Sequence, residues 1–246
     1  MAHYKVILAY DGTEFLGFQR QAKGRTVQAS VESALQTIGW VNSSITGAGR
    51  TDTGVHASGQ VVGFEYEWDH SAEDLRDALN ANLPADIAAL SVEQVSGDFH
   101  PRFSAISRRY QYRLIFGSVR QPLKERYAWR VWPPISMELV DEVAESLVGK
   151  HDFSAFGSPL QPGGSTIREV FSTAWRTDQE HVLFEIQGNA FLYHMVRRLV
   201  SFQIEIGQGK RNPDDIEELL KGEQAELVQG LAPAKGLILK EVTYPI

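Results

Sequence analysis

The order in which two hydrophobic periods alternate limits this chain to few folds. YKVILAY at 4–10 reads as a buried strand, and TVQASVESALQTIG at 26–39 carries Val27, Val31, Leu35 and Ile38 at helical spacing. Two strands follow, the second being QVVGFEY at 60–66. Ser71 with Asp74 three residues on is a helix-capping pair. It predicts a helix over 71–83 with Leu75, Leu79 and Leu83 on one face, stopped by Pro84. IAALSVEQV at 87–95 returns as a strand, and the order is β-α-β-β-α-β.

A similar order begins again at the alternating strand SRRYQYRLIF, 107–116. A helix over 136–148 uses Leu139, Val143 and Leu147, and strands at 167–177 and 181–188 are separated by the turn residues DQE. AFLYHMVRRLVSFQIEI at 190–206 reads as a long helix, a short acidic helix opens at Asn212 and Pro213, and GLILKEVTY at 236–244 is the last strand. The expected fold class is therefore α+β, with two similar β-α-β-β-α-β (ferredoxin-like) halves whose mainly antiparallel sheets meet at a central cleft. The halves resemble each other in element order only, since no sequence repeat shows at a fixed period. The expected domains are 1–105 and 106–246.

Composition narrows the function classes. With 246 residues, 43% of them hydrophobic, the chain can bury a core, and no apolar run approaches the roughly 20 residues a bilayer span needs. The opening MAHYKVILAY lacks the basic, apolar and cleavage regions of a secretion signal, so a cytoplasmic protein is expected. The absence of cysteine excludes disulfides, a thiolate nucleophile and sulfur-ligated zinc. A net charge of -7 at first argues against a polyanionic partner. However, the acids gather on expected helix faces such as NPDDIEELLKGEQAE, while the bases gather in FQRQAKGR at 18–25, FHPRFSAISRRYQYR at 99–113 and HMVRR at 194–198. One basic cleft on a dipolar surface is compatible with that distribution.

The chemistry concentrates in ITGAGRTDTGVHASGQ at 45–60. A phosphate-cradling Walker loop is excluded, because Val55 and His56 stand where Lys and Ser or Thr belong. The dinucleotide fingerprint would put Asp52, a carboxylate, in place of its third glycine against the pyrophosphate. The triplet Asp52-Thr53-Gly54 matches aspartic proteases, but the chain has no second such triplet, and the nearby Arg50 favours an ionised carboxylate over a shared proton. The histidines form no metal-ligand spacing. A glycosidase needs a second carboxylate that sequence cannot place, so that reading stays open. A purely structural loop would use its glycines for positive φ and Asp52 for its own backbone. Against this stands the density of an acid, an arginine, two threonines and a histidine beside backbone free to approach a ligand, which is how catalytic loops are built.

The run G-R-T-D-x-G-V-H-A-x-G-Q resembles the signature of the TruA-type tRNA pseudouridine synthases, with Asp52 at their catalytic aspartate. YDGTEFLGFQRQ at 10–21, FHPRFSAISRRYQYR at 99–113, HDFSAFG at 151–157, QGNAFLYHMVRRLV at 187–200 and LAPAKGLILKEVTY at 231–244 are similar to further blocks of that family, in the same order. The departures are Ser201, where a glycine is common, and Ile238, where an aromatic is often seen.

The resemblance implies isomerisation of uridine to pseudouridine at positions 38, 39 and 40 of the tRNA anticodon stem-loop. It also implies a homodimer that uses no cofactor and no metal, with no membrane partner. Breaking the C1′–N1 bond and rejoining the ring through C5 needs a carboxylate beside ribose and base, as nucleophile or general base. Asp52 fits either role, by a sugar adduct, a base adduct or a glycal. A flipped uracil needs an aromatic platform, which family position assigns to Tyr110 with Tyr112 in support. Arg50 is a candidate to keep Asp52 ionised and to touch phosphate or base. His194, Arg197 and Arg198 share one side of the long helix, opposite the apolar Phe191, Met195, Leu199 and Phe202. Arg197 and Arg198 are candidates for the active site and the RNA backbone, with the sequence not dividing the two roles between them, and Arg20, Lys23 and Arg25 are either contacts to the stem or solvated loop charges. A non-catalytic RNA-binding module of the same fold is the alternative.

Overall fold

A computed structural model describes all residues except 43, 179, 223–225 and 246. The chain divides into two units, Met1–Ile106 with Ile238–Ile246, and Ser107–Leu237. In the first unit, β1 (Ala2–Tyr10) buries alternate side chains, Tyr4, Val6, Leu8 and Tyr10, as period-two patterning requires. α1 (Val27–Thr37) opens at Thr26, whose hydroxyl accepts the Ala29 N–H, and buries Val27, Val31 and Leu35. β2 (Thr46–Gly47) and β3 (His56–Tyr66) bracket the Asp52 loop. α2 (Ala72–Asn82) carries the full capping box between Ser71 and Asp74 and buries Leu75 and Leu79, each burial worth roughly 1.5–3 kcal/mol. β4 (Ile87–Val95) completes the β-α-β-β-α-β order.

β1 is the middle strand, antiparallel to both β3 and β4. The far edge of β3 takes β2 at Val62 and Gly63. Strand pairing therefore holds both ends of the loop that contains Asp52.

The second unit is built on β5 (Ser107–Phe116), β6 (Trp129–Val131), α3 (Met137–Ser146), β7 (Gly149–Asp152), β8 (Ile167–Asp178), β9 (His181–Gly188), α4 (Met195–Gly207) and α5 (Asp215–Leu219). β9 pairs antiparallel with β5 on one side and β8 on the other, β7 pairs antiparallel with β8, and β6 runs parallel to the end of β5. α3 packs on β8 and α4 and buries Val140, Val143 and Ala144, with Leu147 buried at its C-cap, whereas Leu139, expected in the core, is only half-buried. Trp175 of β8 donates its ring N–H to Gln203 of α4 at 2.9 Å, satisfying a buried polar pair. β10 (Leu237–Thr243) belongs to the first unit from Ile238 on, where Ile238 and Leu239 run parallel to His56 and Ala57 of β3. The result is an α+β architecture with a largely antiparallel sheet. Among the described residues, no helix is long and apolar enough to cross a membrane.

One expected helix starts late. The pattern from 190 predicts helix, yet α4 begins at Met195, after His194 at φ 66°. A residue in the left-handed region cannot sit inside a right-handed helix, and the preceding Tyr193 N–H is instead bonded to the Ser158 carbonyl at 2.9 Å. Phe191 and His194 are therefore off the helix, and His194 does not share a helical face with Arg197 and Arg198. Met195, Leu199 and Phe202 are fully buried, as core positions of α4 should be.

Candidate active site

The Asp52 loop is fixed through its backbone. Ala48 donates to the Val61 carbonyl at 2.8 Å where the loop leaves β2, and the Val55 N–H closes a turn on the Asp52 carbonyl at 3.1 Å. Gly54 in that turn has φ 78°, a conformation glycine adopts without steric cost. The loop then docks on the segment 12–18, with Phe18 N–H donating to the Thr51 carbonyl at 3.0 Å and Gly54 N–H to the Phe15 carbonyl at 3.3 Å. Phe15 and Phe18 are buried and anchor that segment in the core.

Two glycines set the closeness of the approach. A Cβ on Gly12 would lie 2.0 Å from the Val55 carbonyl oxygen, and one on Gly17 would lie 2.8 Å from that of Thr51. The Gly12 N–H also donates to Nδ1 of the buried His56 at 2.9 Å. Asp52 itself is half-buried on this support. Its backbone is held by these hydrogen bonds and close contacts on both sides.

Arg50 is exposed and makes no ion pair or hydrogen bond with any described residue. The expected pairing with Asp52 is thus not formed among the described residues. Arg20 donates to Glu32 at 2.8 Å, and Glu32 is 3% exposed, so Arg20 helps satisfy a buried carboxylate. Arg25 is engaged by Asp86 through two hydrogen bonds of 2.6 Å and lies 4.1 Å over the Phe15 ring. Arg25 thus braces, through Phe15, the segment that carries Gly12 and Gly17.

The other expected site residues belong to the second unit. Tyr110 of β5 lies opposite Ile186, half-buried, with its ring edge-to-face on Phe191 at 5.1 Å. Tyr112 is fully buried and its hydroxyl donates to the Pro233 carbonyl at 2.7 Å; burial pushes its phenol pKa far up, so it stays neutral. Two residues apart on one strand, the two rings face the same way, one fixed in the core and one reaching outward. His194 stacks on Tyr193 at 3.7 Å. Arg197 donates through Nε to the Ala232 carbonyl at 2.7 Å, a tie that fixes the approach to β10, and Arg198 is half-buried in the first turn of α4.

Thr51, which counts in the sequence only toward the density of polar groups, joins Tyr10 and Gln60, to which no local pattern gives a role, in a buried polar set at the Asp52 loop. Tyr10 and Gln60 sit at inward positions of β1 and β3, where a strand pattern reads only as core. A half-buried carboxylate on a backbone-held loop of a mostly antiparallel α+β scaffold is compatible with nucleophilic or general-base chemistry.

Comparison with known proteins narrows the class. A family model described as tRNA pseudouridine synthase matches residues 6–104 and 143–245. The tRNA pseudouridine synthase A of Limosilactobacillus fermentum is 39% identical over 249 residues, covering 99% of this chain and 96% of that one. Its namesake from Lacticaseibacillus casei is 40% identical over 247 residues, with 99% and 100% covered, and that of Geobacter sp. (strain M21) is 36% identical over 246 residues, covering both chains fully. The chain belongs to the tRNA pseudouridine synthase family. A solved Cbf5-Nop10-Gar1 complex aligns at a TM-score of 0.37 and 13% identity over 82% of this chain and 45% of that one, which adds nothing to the fold described above.

Proposed function

We propose that this protein converts uridine to pseudouridine at positions 38, 39 and 40 of the tRNA anticodon stem-loop, with Asp52 as the reacting carboxylate. The observation that carries the reading is Asp52 on a backbone-clamped loop inside the segment that matches the family. The reaction is an isomerisation in which the C1′–N1 bond breaks, a C1′–C5 bond forms, the C5 proton leaves to solvent and N1 acquires one. Its demands are a carboxylate near C1′ and the base, a surface for the extruded uracil, and cations for the phosphates. The N-terminal half supplies Asp52, with Arg50 toward phosphate or base and Arg20 toward the stem. The C-terminal half supplies Tyr110 against the base, and His194, Arg197 and Arg198 toward RNA. The working form is a homodimer in the cytoplasm that needs neither cofactor nor metal.

The test is tritium release from C5 of uridine in an unmodified tRNA transcript, with metal chelator present. Release without free uracil is expected. Free uracil would indicate a nucleoside glycosidase, and tight binding without release a non-catalytic RNA-binding module. The aromatic platform is checked separately. Tyr110→Phe keeps the ring and its contact with Phe191 and should retain most activity, whereas Tyr110→Ala should lose stacking worth about 1–3 kcal/mol. Equal losses in the two variants would move the role to the hydroxyl.

A further inference from the structure

Beneath the Asp52 loop lies a polar relay that the reaction as described leaves unused. Tyr10, at the end of β1, shares a hydrogen bond of 2.8 Å with the Thr51 hydroxyl. Gln60 of β3 donates to the Tyr10 hydroxyl at 3.4 Å and to the Gly49 carbonyl at 3.0 Å. All three side chains are buried, at 5% exposure for Tyr10, 7% for Thr51 and 0% for Gln60. Burial pushes the Tyr10 phenol up to about 12, so the hydroxyl remains a neutral donor and acceptor near neutral pH.

Folding alone gives no reason for the polarity of Tyr10 and Thr51. Tyr10 is flanked along its strand face by Leu8, and Gln60 is followed by Val61 and Val62, all fully buried or nearly so. A phenylalanine and a valine together would fill the places of Tyr10 and Thr51 at little cost, because a mutually satisfied polar pair buried in a core contributes little net stability, whereas Gln60 also satisfies the Gly49 carbonyl and the Val61 N–H. An apolar set could not grip the loop on both sides of Arg50. The relay does this, holding Gly49 through its carbonyl and Thr51 through its hydroxyl, while the Thr51 carbonyl is held from the other side by Phe18. Asp52 is the next residue along.

We infer that Tyr10, Thr51 and Gln60 are positioning residues for the isomerisation, fixing the height and direction of Asp52 and Arg50 from below. This deepens the function proposed above and rests on it for its kinetic part. Small displacements matter, since a shift of about 1 Å at a reacting group costs on the order of a hundredfold in rate. Loss of one member, with the Gly12 and Gly17 contacts intact, should give a smaller loss of about tenfold.

Two readouts on the full-length protein test this. In the tritium assay run well below the melting transition, Tyr10→Phe and Thr51→Val should each lower kcat about tenfold with the KM for tRNA unchanged, the melting temperature itself falling modestly because one buried hydroxyl is left unpaired, while Thr51→Ser keeps kcat near wild type. In amide hydrogen exchange read by mass spectrometry, which needs no turnover, residues 48–55 should lose protection in Tyr10→Phe and keep it in Thr51→Ser. Wild-type kcat in both Tyr10→Phe and Thr51→Val overturns the inference. So does a raised KM at constant kcat, or activity that falls only in step with melting temperature. If the wild type itself released no tritium, the proposed function would fail, and unchanged exchange in Tyr10→Phe would separately remove the relay's hold on the loop.

Discussion

Asp52→Asn should abolish tritium release, to below about 1% of the wild-type rate, and leave tRNA affinity within about twofold. The substitution keeps the shape of the side chain and removes its capacity to attack C1′ or the base or to take a proton. Both the nucleophilic and the general-base routes therefore predict the same loss. The loop should survive the change, because Val55 bonds the Asp52 carbonyl, Phe18 the Thr51 carbonyl and Gly54 the Phe15 carbonyl, none of them through the carboxylate. A protein that melts like the wild type and binds tRNA but does not turn over is the expected result. Residual activity well above about 1% would remove Asp52 from the chemistry and pass it to another group.

What the sequence revealed, and what it hid, follows the range of the interactions. α2 is legible because its capping box and its Leu75 and Leu79 stripe are local, and both are present, although Leu83, expected on the same face, is the extended C-cap and only half-buried. β6 and β7 escaped notice because runs of three and four residues such as WRV and GKHD are too short to show a period; they exist through pairing with β5 and β8. The start of α4 was misplaced because the apolar spacing continues back through Phe191, and His194 offers no side-chain cap hydrogen bond that would mark the boundary. At the site, the density of chemical groups around Asp52 was visible in one stretch of sequence. The absence of an Arg50–Asp52 ion pair was not, because adjacency along the chain says nothing about where two side chains point. Residues such as Gly12, Gly17, Tyr10 and Gln60 act on the loop from 34 or more positions upstream or from the next strand. Their contribution is a distance, which no local pattern encodes.

Gly12→Ala gives the largest effect expected away from the reacting group itself. The added methyl would stand 2.0 Å from the Val55 carbonyl oxygen and 2.5 Å from its carbon, both backbone atoms, so no side-chain rotation relieves the clash. Either the segment 12–18 or the turn from Asp52 to Val55 must move, and overpacking of this kind costs about 1–3 kcal/mol. Moving either one strains the Gly12 N–H bond to His56 and the Gly54 N–H bond to Phe15, which together seat the loop. Turnover should therefore fall about a hundredfold, in keeping with a shift of about 1 Å at Asp52, alongside a lower melting temperature. Measuring kcat well below the melting transition separates the two consequences. A kcat that stays near wild type under those conditions would mean that the loop absorbs the methyl without moving Asp52, and the clamp would then be a stability feature only. A kcat that stays low while the protein is fully folded would show that the spacing between these two backbone segments sets the position of the carboxylate.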